Sequence, residues 1–169
     1  MNYVLIGMPT SGKSTVGVML AKEICYDFLD TDILLQRQEK KMIQKILDED
    51  GLEKFYNIEE KALLSVNTDE TVISTGGSAV YSAAGMEHIC KNATVIYLDL
   101  PLEEVYQRIE NLHSRGIAGL THKHFSKIYL ERKALYEKYA DITVNATTLS
   151  KDRLLKKILK AIKNKEEQL

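Results

Sequence analysis

The residues best suited to chemistry lie near the amino end, where Gly7 to Thr15 read Gly-Met-Pro-Thr-Ser-Gly-Lys-Ser-Thr. This run matches the pattern Gly-x-x-x-x-Gly-Lys-Ser/Thr, in which backbone N–H groups and the start of a helix surround the phosphates of a nucleotide. The pattern assigns a mobile positive charge to Lys13 and a Mg²⁺-binding hydroxyl to Ser14. The predicted nucleotide-binding residues of this phosphate loop are Gly7, Pro9, Thr10, Ser11, Gly12, Lys13, Ser14 and Thr15.

The loop predicts a nucleoside triphosphate site, but motors, GTPases and small-molecule kinases all use it. The guanine-reading tetrad Asn-Lys-x-Asp does not occur in the sequence, which argues against a GTPase. The 169 residues fit a single domain, residues 1–169, with little room for effector machinery. The sequence therefore favours phosphate transfer from ATP to a small molecule.

Two carboxylates, Asp30 and Asp32, follow a short β-type run and are candidates for metal and proton chemistry. Side chains two residues apart in an extended segment point in nearly the same direction. Such a pair suits a division of labour between a metal and an acceptor hydroxyl. The alternative is that Asp30 or Asp32 only caps the helix that follows.

Three segments together resemble the shikimate kinases: the phosphate loop, Phe28-Leu29-Asp30-Thr31-Asp32, and the later pair Gly76-Gly77. The resemblance implies an α/β, three-layer α/β/α P-loop kinase fold with a five-stranded parallel sheet. It also implies an acceptor-binding helical segment at about residues 31–62 and a mobile lid at about residues 112–122. The implied ligands are ATP, Mg²⁺ and a hydroxylated small molecule, shikimate, which is phosphorylated to shikimate 3-phosphate in aromatic amino acid biosynthesis.

The same resemblance implies the roles of individual residues. Asp30 and Ser14 would hold Mg²⁺, and Asp32 would orient or deprotonate the acceptor hydroxyl. Arg115 would neutralise charge on the transferring phosphoryl group, and Arg108 would pack on the adenine. The implied catalytic residues are Lys13, Asp32 and Arg115, and the implied acceptor-binding residues are Asp32, Tyr56, Gly76, Gly77, Ser78 and Arg132. Without the resemblance, either arginine would be interpreted as a surface charge and the glycine pair as a plain turn.

Three positions depart from the family pattern. Tyr56 stands where the first of two carboxylate-binding arginines belongs, while the second, Arg132, is present. An arginine would give a carboxylate a charge-assisted hydrogen bond, about twice as strong as the neutral one that a tyrosine can donate. The acceptor of this chain could therefore lack a carboxylate at that place. Tyr56 could also be a half-buried packing residue. Ser78 replaces a third glycine, and Gly116 replaces a proline after the lid arginine, which predicts a looser lid.

Three functions follow from these observations. The first is ATP-dependent phosphorylation of shikimate. The second is the same chemistry on another small hydroxylated metabolite, because of Tyr56. The third is a nucleotide-binding module without transferase activity, which the presence of both Asp30 and Asp32 argues against.

The elements that must position these residues alternate between strands and helices, a pattern typical of a parallel sheet covered by helices. Strands are predicted at 3–6, 71–74, 93–98 and 142–144, and a short strand or an extended loop at 27–30. Helices are predicted at 14–24, 31–66 with a break near Asp50-Gly51, 102–112, 123–139 and 151–163. In such sheets ligands bind at the carboxyl ends of the strands.

Composition narrows the possible partners. With 23 basic and 24 acidic side chains, the chain has no net positive charge that would attract nucleic acid. No apolar run is long enough for a signal sequence or a membrane span, and two separated cysteines, Cys25 and Cys90, are interpreted as buried free thiols. We therefore expect a cytoplasmic monomer without a nucleic-acid or membrane partner. The lysines of the last helix, Lys151 among them, are interpreted as its solvated face.

Overall fold

A five-stranded parallel sheet forms the centre of the fold. The computed structural model describes residues 1–110, 125–147 and 150–167. The strands are β1 (Asn2–Ile6), β2 (Asp27–Asp30), β3 (Thr71–Ser74), β4 (Ala93–Asp99) and β5 (Ile142–Asn145), in the spatial order β2-β3-β1-β4-β5. All five strands, their parallel arrangement and the α/β class are as predicted.

Seven helices lie between and after the strands in the described part of the chain. They are α1 (Lys13–Ile24), α2 (Thr31–Glu39), α3 (Ile43–Leu64), α4 (Ala83–Cys90), α5 (Leu102–Glu110), α6 (Phe125–Tyr139) and α7 (Lys151–Glu166). The predicted break near Asp50-Gly51 is present inside α3, where Gly51 has the left-handed φ of 80°. A second break was not predicted: α2 ends at Glu39, and the next residue, Lys40, has a left-handed φ of 54°.

Helix α4 and the single 3₁₀ turn before it, Ala79–Tyr81, were not predicted from the sequence. A signal for α4 was available, because Ser82 caps this helix and its hydroxyl accepts a hydrogen bond from the N–H of Gly85. The helix is only eight residues long, so its periodicity is hard to distinguish from that of a loop.

Helices cover both faces of the sheet. All five residues of β1 are buried, and successive residues of a strand point to opposite faces, so neither face is open to solvent at the central strand. The main core surrounds β1, β3 and β4. A separate small cluster joins α2 to α3 and consists of Leu35, Ile46, Phe55, Ile58 and Ala62.

Two expectations about side chains were wrong. Cys25 is exposed and Cys90 only partly buried, because Cys25 ends α1 in a left-handed conformation, beyond the buried face of the helix. Lys151 is half-buried, since the start of α7 approaches the phosphate loop. Among the helices that the structure describes, none has both the length and the apolar character required to cross a membrane.

Candidate active site

The predicted chemical residues meet where the parallel strands end. The register pairs Leu5 of β1 with Ser74 of β3, and Ser74 in turn with Asp30 of β2. The phosphate loop, the Asp30–Asp32 segment and the Gly76–Gly77 pair therefore leave three adjacent strands at the same edge. This edge is where an open parallel sheet binds its ligands.

The phosphate loop depends on two glycines with positive φ. Gly7 has a φ of 144°, and a Cβ there would lie 2.7 Å from the carbonyl oxygen of Leu98. Gly12 has a φ of 97° and comes directly before α1. An L side chain would be strained at either position, so the loop conformation requires glycine at both.

Lys13 is buried at the start of α1. Its Nζ donates hydrogen bonds to the carbonyl oxygens of Gly7 and Met8, each at 2.8 Å, and lies 3.4 Å from the hydroxyl oxygen of Ser11. Burial lowers the pKa of this ammonium to about 8, against the opposing effect of Asp32 and Asp30. The ammonium thus lies between the loop and the two carboxylates.

The two carboxylates differ in their surroundings. Asp30, the last residue of β2, caps α2, because its Oδ1 accepts hydrogen bonds from the N–H groups of Asp32 and Ile33 at 3.0 and 3.4 Å. Asp32 lies in the first turn of α2, so the expectation that both acids share one extended segment was wrong. Burial, and then the charge of Asp30, raise the pKa of Asp32 to about 6.

The Gly76–Gly77 pair fills the space between the carboxylates and the phosphate loop. A Cβ at Gly76 would lie 2.7 Å from Oδ1 of Asp32, and a Cβ at Gly77 would lie 2.7 Å from Cδ of Pro9. The N–H of Gly76 donates to the Thr31 hydroxyl at 3.1 Å, which ties this segment to the start of α2. The pair therefore makes contacts that a plain turn would not require.

Glu59 is a site residue that the sequence analysis did not select. It is 4% exposed, and its Oε1 would lie 2.5 Å from a Cβ at Gly76. Among the residues that the structure describes, this oxygen has no hydrogen-bond partner. Burial raises the pKa of Glu59 to about 7, while a hydrogen bond from Ser78 opposes the rise. Glu59 could have been predicted from its position three residues after Tyr56, because residues three apart lie on the same face of a helix.

Arg132 of α6 is 1% exposed and lies among tyrosines. Its guanidinium is 5.2 Å from the ring centroid of Tyr81, and the Tyr81 ring lies 5.5 Å from that of Tyr56. The phenol groups of Tyr56, Tyr81 and Tyr136 are all within hydrogen-bonding reach of Arg132. Tyr136 also donates to the carbonyl oxygen of Gly77 at 2.6 Å. Tyr56 is thus part of the same pocket as Arg132, and Tyr81 is a member that the sequence analysis missed.

Arg108 reaches the phosphate loop from α5. Its Nη1 donates to the carbonyl oxygen of Thr10 at 3.0 Å, and its Nη2 pairs with Glu104 at 2.7 Å. The guanidinium is therefore held beside the loop. Arg115, Gly116 and the predicted lid at about 112–122 lie outside the described residues.

The residues predicted to hold Mg²⁺, Ser14 and Asp30, offer it a pair of oxygen ligands. The hydroxyl of Ser14 lies 3.4 Å from that of Ser74, and only one oxygen of Asp30 is used in capping α2. No cluster of three or more metal-ligating His, Cys, Asp or Glu side chains occurs within the described ranges. Such a pair suits Mg²⁺, which keeps several waters and takes its other ligands from substrate phosphates.

A family model and a full-length relative of this chain both carry the name shikimate kinase. The family model described as shikimate kinase matches residues 9–163. The shikimate kinase of Persephonella marina is 32% identical over 163 residues, which cover 96% of this chain and 99% of that protein.

Two solved structures are also similar. The shikimate kinase of Acinetobacter baumannii in complex with shikimate has a TM-score of 0.89 and 28% identity, over 97% of this chain and 93% of that one. The shikimate kinase of Aquifex aeolicus has a TM-score of 0.85 and 28% identity, over 98% of both chains.

Proposed function

The chain belongs to the shikimate kinase family, and we propose that it transfers the γ-phosphate of ATP to the 3-hydroxyl of shikimate. One observation carries the proposal: Lys13, Asp32 and the Gly76–Gly77 pair lie together at the carboxyl edge of the sheet. A phosphate cradle and a buried base next to it are what transfer to an alcohol requires.

In the proposed reaction, Asp32 accepts the proton of the acceptor hydroxyl as the hydroxyl oxygen attacks the γ-phosphorus. The bond from the γ-phosphorus to the β,γ-bridging oxygen breaks, and ADP leaves with the negative charge held by Lys13 and the amides of the loop. Ser14 and Asp30 would hold Mg²⁺, which neutralises phosphate charge when bound. Arg115 stays a predicted further positive charge.

Binding of shikimate would depend on Arg132. A buried guanidinium surrounded by phenol oxygens suits one carboxylate, and the adjacent Glu59 and Asp32 suit the hydroxyl groups of the ring. Arg108, beside Thr10, suits stacking on the adenine, and Ser78 supports the pocket through Glu59.

A second candidate is a different hydroxylated acceptor in the same pocket. The observation in its favour is Tyr56, which brings a neutral phenol where the family pattern has the first of its two carboxylate-binding arginines. Loss of one charge-assisted hydrogen bond to a carboxylate costs on the order of 1.5–3 kcal/mol, or about ten- to a hundredfold in affinity.

One coupled assay separates these functions. ADP release is measured with Mg²⁺-ATP alone, with shikimate, and with a panel of polyols and hydroxy acids. We expect turnover that depends on shikimate. Turnover only with another acceptor would favour the second candidate, and tight ATP binding without any turnover would favour a nucleotide-binding module.

We also propose a cytoplasmic monomer, one domain over residues 1–169, with no nucleic-acid or membrane partner. The nearly balanced charge supports this, as do exposed apolar side chains that are scattered over different helices, such as Val18, Ile33 and Leu130. Light scattering after size exclusion would give the mass, and a mass of twice the 19.2 kDa of the chain would contradict the monomer.

A further inference from the structure

Lys151, the first residue of α7, lies against the phosphate loop although the two are far apart in sequence. A Cβ added at Gly12 would collide with its Nζ. Gly12 is the last loop residue before α1, where backbone N–H groups point away from the helix toward a bound phosphate. The ammonium of Lys151 therefore lies at the end of the loop from which α1 starts.

This ammonium has no anionic partner in the described part of the chain, where no hydrogen bond or ion pair involves it. The lysines farther along α7 differ: Lys163 pairs with Glu167, and Lys165 with Asp141. The charged group that acts on Lys151 is the guanidinium of Arg108 on α5. Burial, and then the positive charge of Arg108, lower the pKa of Lys151. An unpaired ammonium beside a guanidinium is an arrangement that an anion would stabilise.

A second observation at this place is the hydroxyl of Thr10. Its Oγ1 is buried and has no hydrogen-bond partner among the described residues. Thr10 is also held in a left-handed conformation, with φ of 69°, and its carbonyl oxygen accepts from Arg108. Buried polar atoms without partners are few in native proteins, and a ligand is one way in which they are satisfied.

The ammonium groups of Lys13 and Lys151 lie at opposite ends of the loop. Lys13 donates to the carbonyl groups of Gly7 and Met8 at its start and is next to Asp32 and Asp30, where the γ-phosphate would be transferred to the acceptor hydroxyl. Lys151 lies at its end, next to Arg108, where the nucleoside is expected. A polyphosphate bound across the loop would thus have one ammonium at each end.

We propose that Lys151 binds the α-phosphate of the nucleotide and is a specificity-determining residue for phosphorylated adenosine. This inference rests on the proposed function, because it requires the loop to hold ATP. It replaces the interpretation of Lys151 as part of a solvated face. The opposite role is also conceivable, in which the Lys151 side chain blocks the nucleotide site. In that case its removal would strengthen binding of the nucleotide.

Direct binding tests the proposal without any acceptor. The affinity for ADP is measured by calorimetry, and those for AMP and adenosine by displacement of ADP, with the unaltered chain, Lys151→Met and Lys151→Arg. Lys151→Met keeps the aliphatic stem and removes the charge. The matched control is Lys156→Met, because Lys156 is on the exposed face of the same helix.

We expect Lys151→Met to weaken ADP and AMP binding about tenfold, since a charge-assisted contact in a partly solvated site is lost. Adenosine binding should not change, Lys151→Arg should bind ADP nearly as well as the unaltered chain, and the loss should shrink at high ionic strength. Lys156→Met should behave like the unaltered chain throughout.

Equal or tighter ADP binding by Lys151→Met would overturn the proposal and indicate a side chain that is solvated or that blocks the nucleotide site. An equal loss for adenosine would overturn it too, because the effect would then not involve phosphate. If the unaltered chain bound no ADP at all, the proposed function would fail together with this inference. A folded state unchanged in circular dichroism shows that the variants are comparable.

Discussion

Burial moves three ionisable side chains at the candidate active site toward neutral pH. It raises the pKa of Asp32 to about 6 and that of Glu59 to about 7, and it lowers the pKa of Lys13 to about 8. Shifts of this kind are frequent at catalytic sites, where an acid or base must change its charge near the working pH. Asp32 and Lys13 act directly in the proposed reaction, so these two should leave a measurable trace in the pH dependence.

We expect kcat/KM for shikimate to be bell-shaped in pH. Asp32 acts as a base only when ionised, so activity falls as the pH drops below about 6. Lys13 holds phosphate only when protonated, so activity at low ATP falls above about pH 8. The measurement is kcat/KM between pH 5 and pH 9, at ATP well below saturation.

Two variants identify the groups behind that profile. Asp32→Asn should lower kcat by about a hundredfold or more at pH 7 and above, and by less below pH 6, where Asp32 itself is protonated. Glu59→Gln should keep both limbs, because Glu59 is not the proposed base. A profile whose acidic limb vanished in Glu59→Gln would contradict the assignment of the base to Asp32.

A second prediction at this scale concerns Tyr56. We expect Tyr56→Arg to lower the KM for shikimate by about tenfold, because a second guanidinium would bind the carboxylate. Oε1 of Glu59, three residues farther along α3, has no hydrogen-bond partner in the described ranges and offers the new charge a counterion. Steady-state kinetics of Tyr56→Arg and Tyr56→Phe, which removes only the hydroxyl, measure this. A higher KM in Tyr56→Arg would mean that the pocket accepts a different compound.

The elements bring these residues together through parallel pairing. Because Asp30 of β2 is in register with Ser74 of β3, the start of α2 and the Gly76–Gly77 segment emerge side by side. The two glycines then face opposite ways, one toward the carboxylates and one toward Pro9. This segment thus separates the acceptor pocket from the phosphate loop.

Alanine at each of the two glycines should therefore have a different effect. In Gly76→Ala the new Cβ would lie 2.5 Å from Oε1 of Glu59 and 2.7 Å from Oδ1 of Asp32, so the carboxylates must move. We expect kcat to fall at least about tenfold while ADP binding is kept. In Gly77→Ala the Cβ would meet Pro9, so ADP binding should weaken as well.

Kinetics and ADP calorimetry on both variants give the comparison. Equal loss of ADP affinity in Gly76→Ala and Gly77→Ala would contradict the separation of the two pockets. Gly51→Ala is a useful third variant, because nothing lies within 4 Å of its Cβ and only the left-handed φ of 80° would be disturbed.

At the scale of the whole molecule, the described residues form two apolar clusters that support different parts of the structure. The large one surrounds the sheet and supports the phosphate loop. The small one joins α2 to α3, and α3 carries Tyr56 and Glu59. A cluster of few residues gives its helices little stability of their own, so the acceptor segment should open more readily than the sheet.

We therefore expect the clusters to respond differently to the same truncation. Ile46 in the small cluster and Ile96 in the large one are both 0% exposed. Ile→Ala at either position should lower the stability of the packing around it by about 2–5 kcal/mol. Ile46→Ala should raise the KM for shikimate and leave ADP affinity intact. Ile96→Ala should lower the free energy of unfolding of the whole domain.

Urea unfolding, ADP calorimetry and amide hydrogen exchange of α2 and α3 measure these effects. Faster exchange confined to α2 and α3 in Ile46→Ala would support the division. Parallel loss of ADP affinity in Ile46→Ala would contradict it.

The sequence by itself determined the phosphate loop, the parallel α/β pattern and the resemblance to the shikimate kinases. These features depend on residues that are close together in the sequence. Examples are Gly7 and Gly12, which the loop conformation requires, and the apolar runs of the strands. Short elements such as α4 escaped prediction because eight residues give too few periods to read.

Only the tertiary structure decided which distant side chains share a site. Glu59 beside Asp32, Tyr81 against Arg132 and Lys151 against Gly12 are contacts between segments far apart in the chain. No local pattern marks them, because burial and packing bring them together only after the sheet and helices have assembled. The same holds for the pKa values of Asp32 and Lys13, whose first cause is burial.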